Sequence, residues 1–204
     1  MSYKVKEIFM TLQGEGVNVG RPAVFCRFSG CNLWSGHEVH RASAICRFCD
    51  TDFLGGETFP DAARLALAIS SRWPGGPGRF VVLTGGEPAL QVDAALISEL
   101  HAMKFQVAIE TNGTKALPEG IDWTTMSPKA GTDIVVTRGN ELKLVYPQEG
   151  ITPKMLEHLH FDHFVLSPMD GPNLKSNTAQ ALEYCMKNPP WRLSLQVHKI
   201  IGIR

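Results

Sequence analysis

The chain has no excess of charge of either sign: 20 Lys and Arg balance 20 Asp and Glu over 204 residues. No long-range field draws it to nucleic acid, so recognition has to rest on a local pocket, which suits a free small molecule. The N-terminus, MSYKVKEIFM, lacks an apolar run long enough for a secretion signal or a membrane span, and this predicts a cytoplasmic protein without a membrane partner. Internal repeats and low-complexity tracts are missing as well. Cysteine is scarce, with five residues, an odd number and too few for a disulfide scaffold at this length. What remains is an ordinary globular composition, 44% hydrophobic and 20% charged, with enough chain to bury a core in one domain spanning 1–204.

Three of the cysteines, Cys31, Cys46 and Cys49, are spaced C-x14-C-x2-C in a loop expected at 29–52. In a reducing compartment such clustering favours metal ligation. Three thiolates are one short of the four that complete an ordinary cubane, and the unfilled iron is what a small chelating molecule needs in order to bind. A structural zinc completed by His37 or His40 is the alternative, but both histidines fall in GHEVHR (36–41), which reads as a polar surface loop. Cys26, in an apolar strand, and Cys185, on a helix face with Leu182, read as core thiols. Trp73, Trp123 and Trp191 read as packing residues, with Trp34 open between packing and stacking.

Short runs rich in β-branched and aromatic residues predict strands at Ala23–Phe28, Phe80–Leu83, Gln106–Glu110, Trp123–Met126, Glu141–Val145, His163–Leu166 and Leu193–Val197. Helical spacing predicts one helix through Leu65, Ile69 and Trp73 and another through Val92, Leu96, Leu100 and Met103. Thr152–His160, with Thr152 as cap and Pro153 in the first turn, and Asn177–Lys187 complete the set. This α/β alternation favours a parallel sheet with functional loops at the carboxyl ends of its strands. Thr84-Gly85-Gly86-Glu87-Pro88, Glu110-Thr111-Asn112-Gly113, Ser127-Pro128-Lys129 and Ser167-Pro168-Met169-Asp170 each follow a strand. A closed eight-stranded barrel usually takes about 250 residues, so an incomplete, open (β/α) TIM-like barrel is expected. The two glycines after Leu83 permit close backbone approach, and groups at that strand end suit the amino and carboxylate ends of an amino acid.

A cysteine motif near the first strand followed by Gly-Gly-Glu-Pro after the second resembles the radical S-adenosylmethionine superfamily. The usual pattern is C-x3-C-x2-C with an aromatic before the last cysteine. Here Phe48 supplies the aromatic, and the first spacer is fourteen residues long. That spacer, the opening FMTLQGEG (9–16), CRFCDT (46–51) and the C-terminal Trp191–Lys199 are similar to the 7-carboxy-7-deazaguanine synthases over nearly the whole chain.

The resemblance implies a lyase of queuosine and deazapurine biosynthesis that converts 6-carboxy-5,6,7,8-tetrahydropterin to 7-carboxy-7-deazaguanine with loss of ammonia. Its cofactors would be a [4Fe–4S] cluster, S-adenosylmethionine and Mg²⁺, with no catalytic side chain because the cofactor carries the radical chemistry. It also implies a flavodoxin- or ferredoxin-type electron donor and a homodimer. Residue by residue, Cys31, Cys46 and Cys49 would hold the cluster and Thr51 the Mg²⁺. Phe48, Asp50, Gly86, Glu87, Glu110, Ser127, Lys129, Ser167, Met169 and Asp170 fall to S-adenosylmethionine. Leu12, Gln13, Gly14, Arg27, Thr84, His198 and the carboxylate of Arg204 fall to the pterin. A surface ion pair is the plain alternative for Arg27, and a core polar role for Glu110. Relatives carry Gln where this chain has Ser167, and end in proline where it has Arg204. A glycyl-radical-enzyme activase, which requires none of the C-x14-C spacer, Thr51 and the Thr-Leu-Gln-Gly-Glu-Gly opening, and a non-catalytic, zinc-stabilised binding module, which iron and sulfide content would exclude, are the other readings.

Overall fold

The structure, a computed structural model, describes residues 1–203. In chain order its strands are β1 (Tyr3–Leu12), β2 (Pro22–Phe28), β3 (Glu57–Phe59), β4 (Phe80–Gly85), β5 (Gln106–Thr111), β6 (Trp123–Met126), β7 (Arg138–Tyr146), β8 (His160–Pro168) and β9 (Trp191–Leu193). The helices are α1 (Ala62–Ser70), α2 (Ala94–Ala102), α3 (Leu174–Lys187) and α4 (Val197–Ile201). All the strands join one sheet ordered β3-β1-β2-β4-β5-β6-β7-β8-β9. β1 runs antiparallel to β2 and β3, and each neighbouring pair from β2 to β9 is parallel. The sheet does not close, and the fold is the open TIM-like barrel that the sequence predicts.

Strand alternation decides what faces where. Val24 and Cys26 of β2, Val81 and Leu83 of β4, and Val107 and Ile109 of β5 meet Leu65 and Ile69 of α1 and Leu96 and Leu100 of α2 in one core. Leu142 and Leu144 of β7 and Leu166 of β8 form a second with Ala181 of α3 and Trp191. The intervening positions face the barrel interior. Phe80, Val82 and Ala108 fill it towards the amino ends of the strands, whereas Thr84, Glu110, Thr125 and Lys143 line a cavity towards the carboxyl ends. α1 and α2 are fixed by caps: Asp61 accepts from Arg64 N–H, and Asp93 accepts from Leu96 N–H and from the Tyr3 hydroxyl at 2.7 Å, tying α2 to β1.

Several expectations change. Thr152–His160 is not a helix: only Pro153–Leu156 makes a 3-10 turn, Thr152 makes no side-chain cap, and His160 already opens β8. A parallel partner claims it, since His160 sits opposite Arg138 of β7. The predicted strand at Leu193–Val197 stops at Leu193, and Val197 begins α4. Trp73 lies beyond α1, edge-on to Phe105, and Val92 and Met103 flank α2. The short edge strand β3 went unpredicted because only three residues mark it. Trp34 is buried, with its ring edge against Phe53. Cys26 is fully buried as expected, but Leu182 is exposed and Cys185 packs only partly against the second core.

Candidate active site

The carboxyl ends of the strands surround a cavity of about 620 Å³. Cys31, Cys46 and Cys49 line it together with Phe48, Asp50 and Thr51. The Cys31 loop is pinned to the turn after β4, because Gly86 N–H donates to Phe28 O at 3.0 Å and Glu87 N–H to Gly30 O at 2.9 Å. The approach is so close that a Cβ on Gly86 would collide with the Gly30 carbonyl and reach Cys31. Here glycine is required by contact rather than by backbone angle.

The Cys46 thiol hydrogen-bonds Cys49 and lowers its pKa to about 6, while that bond and burial raise Cys46; burial raises Cys31. The Lys129 ammonium lies near the pair, donating to Ser127 O at 2.6 Å and Ser127 Oγ at 2.9 Å, with its pKa lowered by burial. His37 and His40 are absent from the lining: their rings pack 6.0 Å apart, and His40 Nδ1 is 2.8 Å from Ser35 Oγ. Among the described residues no three His, Cys, Asp or Glu side chains gather as the shell of one metal ion. Three soft thiols on the cavity wall, beside open space and a close-approach glycine turn, fit an iron–sulfur cluster with a small chelating ligand.

The other residues singled out in the sequence divide into those the fold gathers and those it does not. Leu12, Gln13, Gly14, Arg27, Thr84, Gly86, Glu110, Ser127, Lys129, Ser167, Met169, Asp170 and His198 all line the same cavity. Arg27 keeps its alternative role too, since its Nε pairs with Glu7 at 2.9 Å while both stand on the wall. Glu87 stands apart from them. Its carboxylate is fully buried off the lining and accepts from Ala89 N–H, Thr111 Oγ1 and Asn112 N–H, binding the end of β4 to that of β5. Burial raises its pKa despite those donors. Arg204 lies outside the described residues.

The C-terminal segment closes one side. Val197 N–H donates to Gly14 O at 2.9 Å, and a Cβ on Gly14 would collide with the His198 ring. Lys199 Nζ bridges Asp50 at 2.6 Å and Asp170 at 2.5 Å, joining the cysteine loop to the loop after β8.

Sequence reasoning missed an ionic floor. Lys143 Nζ sits 2.6 Å from Glu15 and 3.5 Å from Glu110, Gln13 Nε2 donates to Glu110 at 2.9 Å, and Gln196 Nε2 to Glu15 at 2.9 Å. Burial opposes the charges, yet the carboxylates outweigh it and raise the pKa of Lys143, while Lys143 lowers that of Glu15. The available signal was ELKLVY (141–146), where charges alternate with apolar residues at strand spacing.

No family model matches the chain. It is 58% identical over 209 residues to the 7-carboxy-7-deazaguanine synthase of Bordetella pertussis and 56% identical over 210 residues to that of Bradyrhizobium diazoefficiens, with 100% of each chain covered in both cases. The crystal structure of QueE from Escherichia coli superposes with a TM-score of 0.74 at 29% identity, over 97% of this chain and 95% of that one. Full-length identity at this level leaves neither an activase nor a zinc-stabilised binding module standing. The chain belongs to the 7-carboxy-7-deazaguanine synthase family of radical S-adenosylmethionine enzymes.

Proposed function

We propose that this chain catalyses the reaction for which its relatives are named, taking 6-carboxy-5,6,7,8-tetrahydropterin to 7-carboxy-7-deazaguanine with loss of ammonia. The observation that carries the reading is the convergence of three thiols and four strand-end motifs on one cavity. Cys31, Cys46 and Cys49 would hold a [4Fe–4S] cluster, with S-adenosylmethionine between Gly86, Ser127, Lys129, Ser167 and the Met169–Asp170 loop. When bound, these groups supply one-electron cleavage of the sulfonium and a carbon radical.

The protein's part is position and exclusion of water. Gly86 lets backbone approach the methionine end, and Lys129, held by Ser127, is a fixed cation on the cysteine side of the cavity. On the pterin side the Glu7 pair fixes the Arg27 guanidinium where it can meet the substrate carboxylate. Gln13, held by Glu110, and His198, packed on Gly14, would help confine the ring.

The Thr51 hydroxyl, on the cavity wall two residues past Cys49, would serve a Mg²⁺ that also takes the substrate carboxylate; an octahedral ion that keeps several waters needs few protein oxygens. A flavodoxin- or ferredoxin-type donor, a homodimer and a cytoplasmic location complete the reading. No helix among the described residues is long and apolar enough to cross a membrane.

The test is anaerobic incubation of reconstituted protein with the carboxy-tetrahydropterin, S-adenosylmethionine, reductant and Mg²⁺. Appearance of the deazaguanine is expected, and its absence with a full cluster would sink the proposal. Thr51→Ala should lose most of the Mg²⁺ response with S-adenosylmethionine binding unchanged, and an equal response to wild type would remove Thr51 from the metal site.

A further inference from the structure

The long spacer between Cys31 and Cys46 buries Leu33 and Trp34 near its start and then makes an exposed 3-10 helix, Glu38–Ser43, that buries none of its residues. That turn adds no hydrophobic burial of its own, so its presence in the spacer needs another reason. One side chain in it reaches back to the cysteines. Arg41 Nη1 donates to Arg47 O at 2.9 Å and to Cys49 O at 3.0 Å, so that one guanidinium spans the backbone of the C-x2-C turn. The same guanidinium lies 4.1 Å from the ring centroid of Trp34, which is buried and edge-on to Phe53. Glu38 completes the arrangement with a 2.6 Å pair to Arg41 Nε. A planar cation held on one face by an aromatic ring and along its edges by a carboxylate and two carbonyls has a fixed orientation, which a lysine cannot copy.

We propose that Arg41 is a positioning residue for the cluster: the insert exists to place this guanidinium, which fastens the Cys46–Cys49 turn in its ligating shape and sets a permanent positive charge beside two of the thiolates. The inference rests on the proposed function only in taking Cys31, Cys46 and Cys49 as cluster ligands. Two consequences follow from the chemistry. Groups that orient metal ligands affect metal retention strongly, and their loss typically costs about 10- to 100-fold in affinity. A nearby cation favours the more negatively charged, reduced state of a cluster and so raises its reduction potential.

The experiment compares wild type, Arg41→Gln, Arg41→Lys and Arg47→Gln. Arg47 is the control, because it carries the same charge in the same loop while its Nε reaches only Ala44 O. Iron release to a chelator and the cluster's midpoint potential are read for each, and the rate of tryptic cleavage after Arg47 in the metal-free protein for the variants that keep Arg47. Arg41→Gln should release iron about tenfold faster or more, have a lower potential and be cut faster when metal-free. Arg41→Lys should recover the potential but not the iron retention, and Arg47→Gln should retain iron like wild type. Equal iron retention in Arg41→Gln and wild type, or equal damage from Arg47→Gln and Arg41→Gln, overturns the proposal. Thermal unfolding keeps the readings separable from misfolding, and Arg41→Lys serves if Arg41→Gln does not fold. A wild-type protein that takes up no cluster would instead overturn the cysteine assignment itself.

Discussion

Residues 31–52 carry the three thiols on chain whose only regular element is one exposed 3-10 turn, whereas the opposite wall is strand: Arg27 of β2, Glu110 of β5, Lys143 of β7 and Ser167 of β8 project inward at fixed intervals. The loop wall is held largely through backbone carbonyls, which accept from Gly86 and Glu87 N–H at Phe28 and Gly30 and from the Arg41 guanidinium at Arg47 and Cys49. The strand wall is held by buried side-chain charge around Lys143. A polynuclear cluster that arrives after synthesis needs a wall that can admit it. A rigid organic substrate is better served by groups already fixed, since ordering them on binding would weaken affinity. The two walls should therefore respond differently to substitution.

The largest effect is expected on the loop wall. Replacing Cys31, Cys46 or Cys49 with Ala should abolish both iron content and turnover, while Cys26→Ser and Cys185→Ala retain the iron; unchanged iron in Cys31→Ala would defeat the assignment. On the strand wall, Lys143→Met should leave the largely shielded Glu15 and Glu110 without their buried cation and lower stability by about 3 kcal/mol, with iron content per folded chain unchanged. Loss of iron in step with stability would mean that the walls are not independent.

The same pair sets a pH dependence. The Lys143 pKa is raised in the fold, so its contribution is complete below its unfolded value near 10.4 and is lost as the pH rises from there through its higher folded value. The Glu15 pKa is lowered, so its contribution is present above about pH 4.3 and is lost on acidification below that. Unfolding curves of wild type should slope at both extremes, and those of Lys143→Met should be flatter there.

At the seam between the walls, Gly14→Ala drives a methyl into the His198 ring and should cost roughly 1–3 kcal/mol of packing or of tail docking. Calorimetric titration should show weaker pterin binding with S-adenosylmethionine binding unaffected; parallel weakening of both would place Gly14 in the general fold. The smallest effect belongs to Lys199→Met, which removes partly exposed pairs to Asp50 and Asp170 worth about 0.2–1 kcal/mol in stability. Its readout is an increased rate of S-adenosylmethionine release, and an unchanged rate would reduce the bridge to surface decoration.

Much of the site was legible because its chemistry is local in sequence. The cysteine spacing, the Gly-Gly turn after Leu83 and Ser127-Pro128-Lys129 are contiguous words, and the fold brings each to the cavity. Glu87 read as part of such a word, but its carboxylate turns away from the cavity. Whether a carboxylate at a strand end faces a cavity or turns inward to cap its neighbours depends on donors such as Thr111 and Asn112, some 25 positions away. Thr152–His160 erred for a related reason, since its cap and proline favour a helix locally while the pairing of His160 with Arg138 settles the matter from outside.

By itself the sequence determined the class of chemistry, because soft thiolates and close-approach glycines are properties of residue type and spacing. It also determined the α/β alternation, which follows from hydrophobic period. The tertiary structure alone decided that Lys143 would be a buried cation between Glu15 and Glu110, that Gly14 would receive the tail, and that Arg41 would span the C-x2-C turn. These contacts join positions far apart in the chain or fix a side chain in three dimensions. The free energy of a charge depends on what surrounds it, which residue order does not state until the sheet has placed the partners.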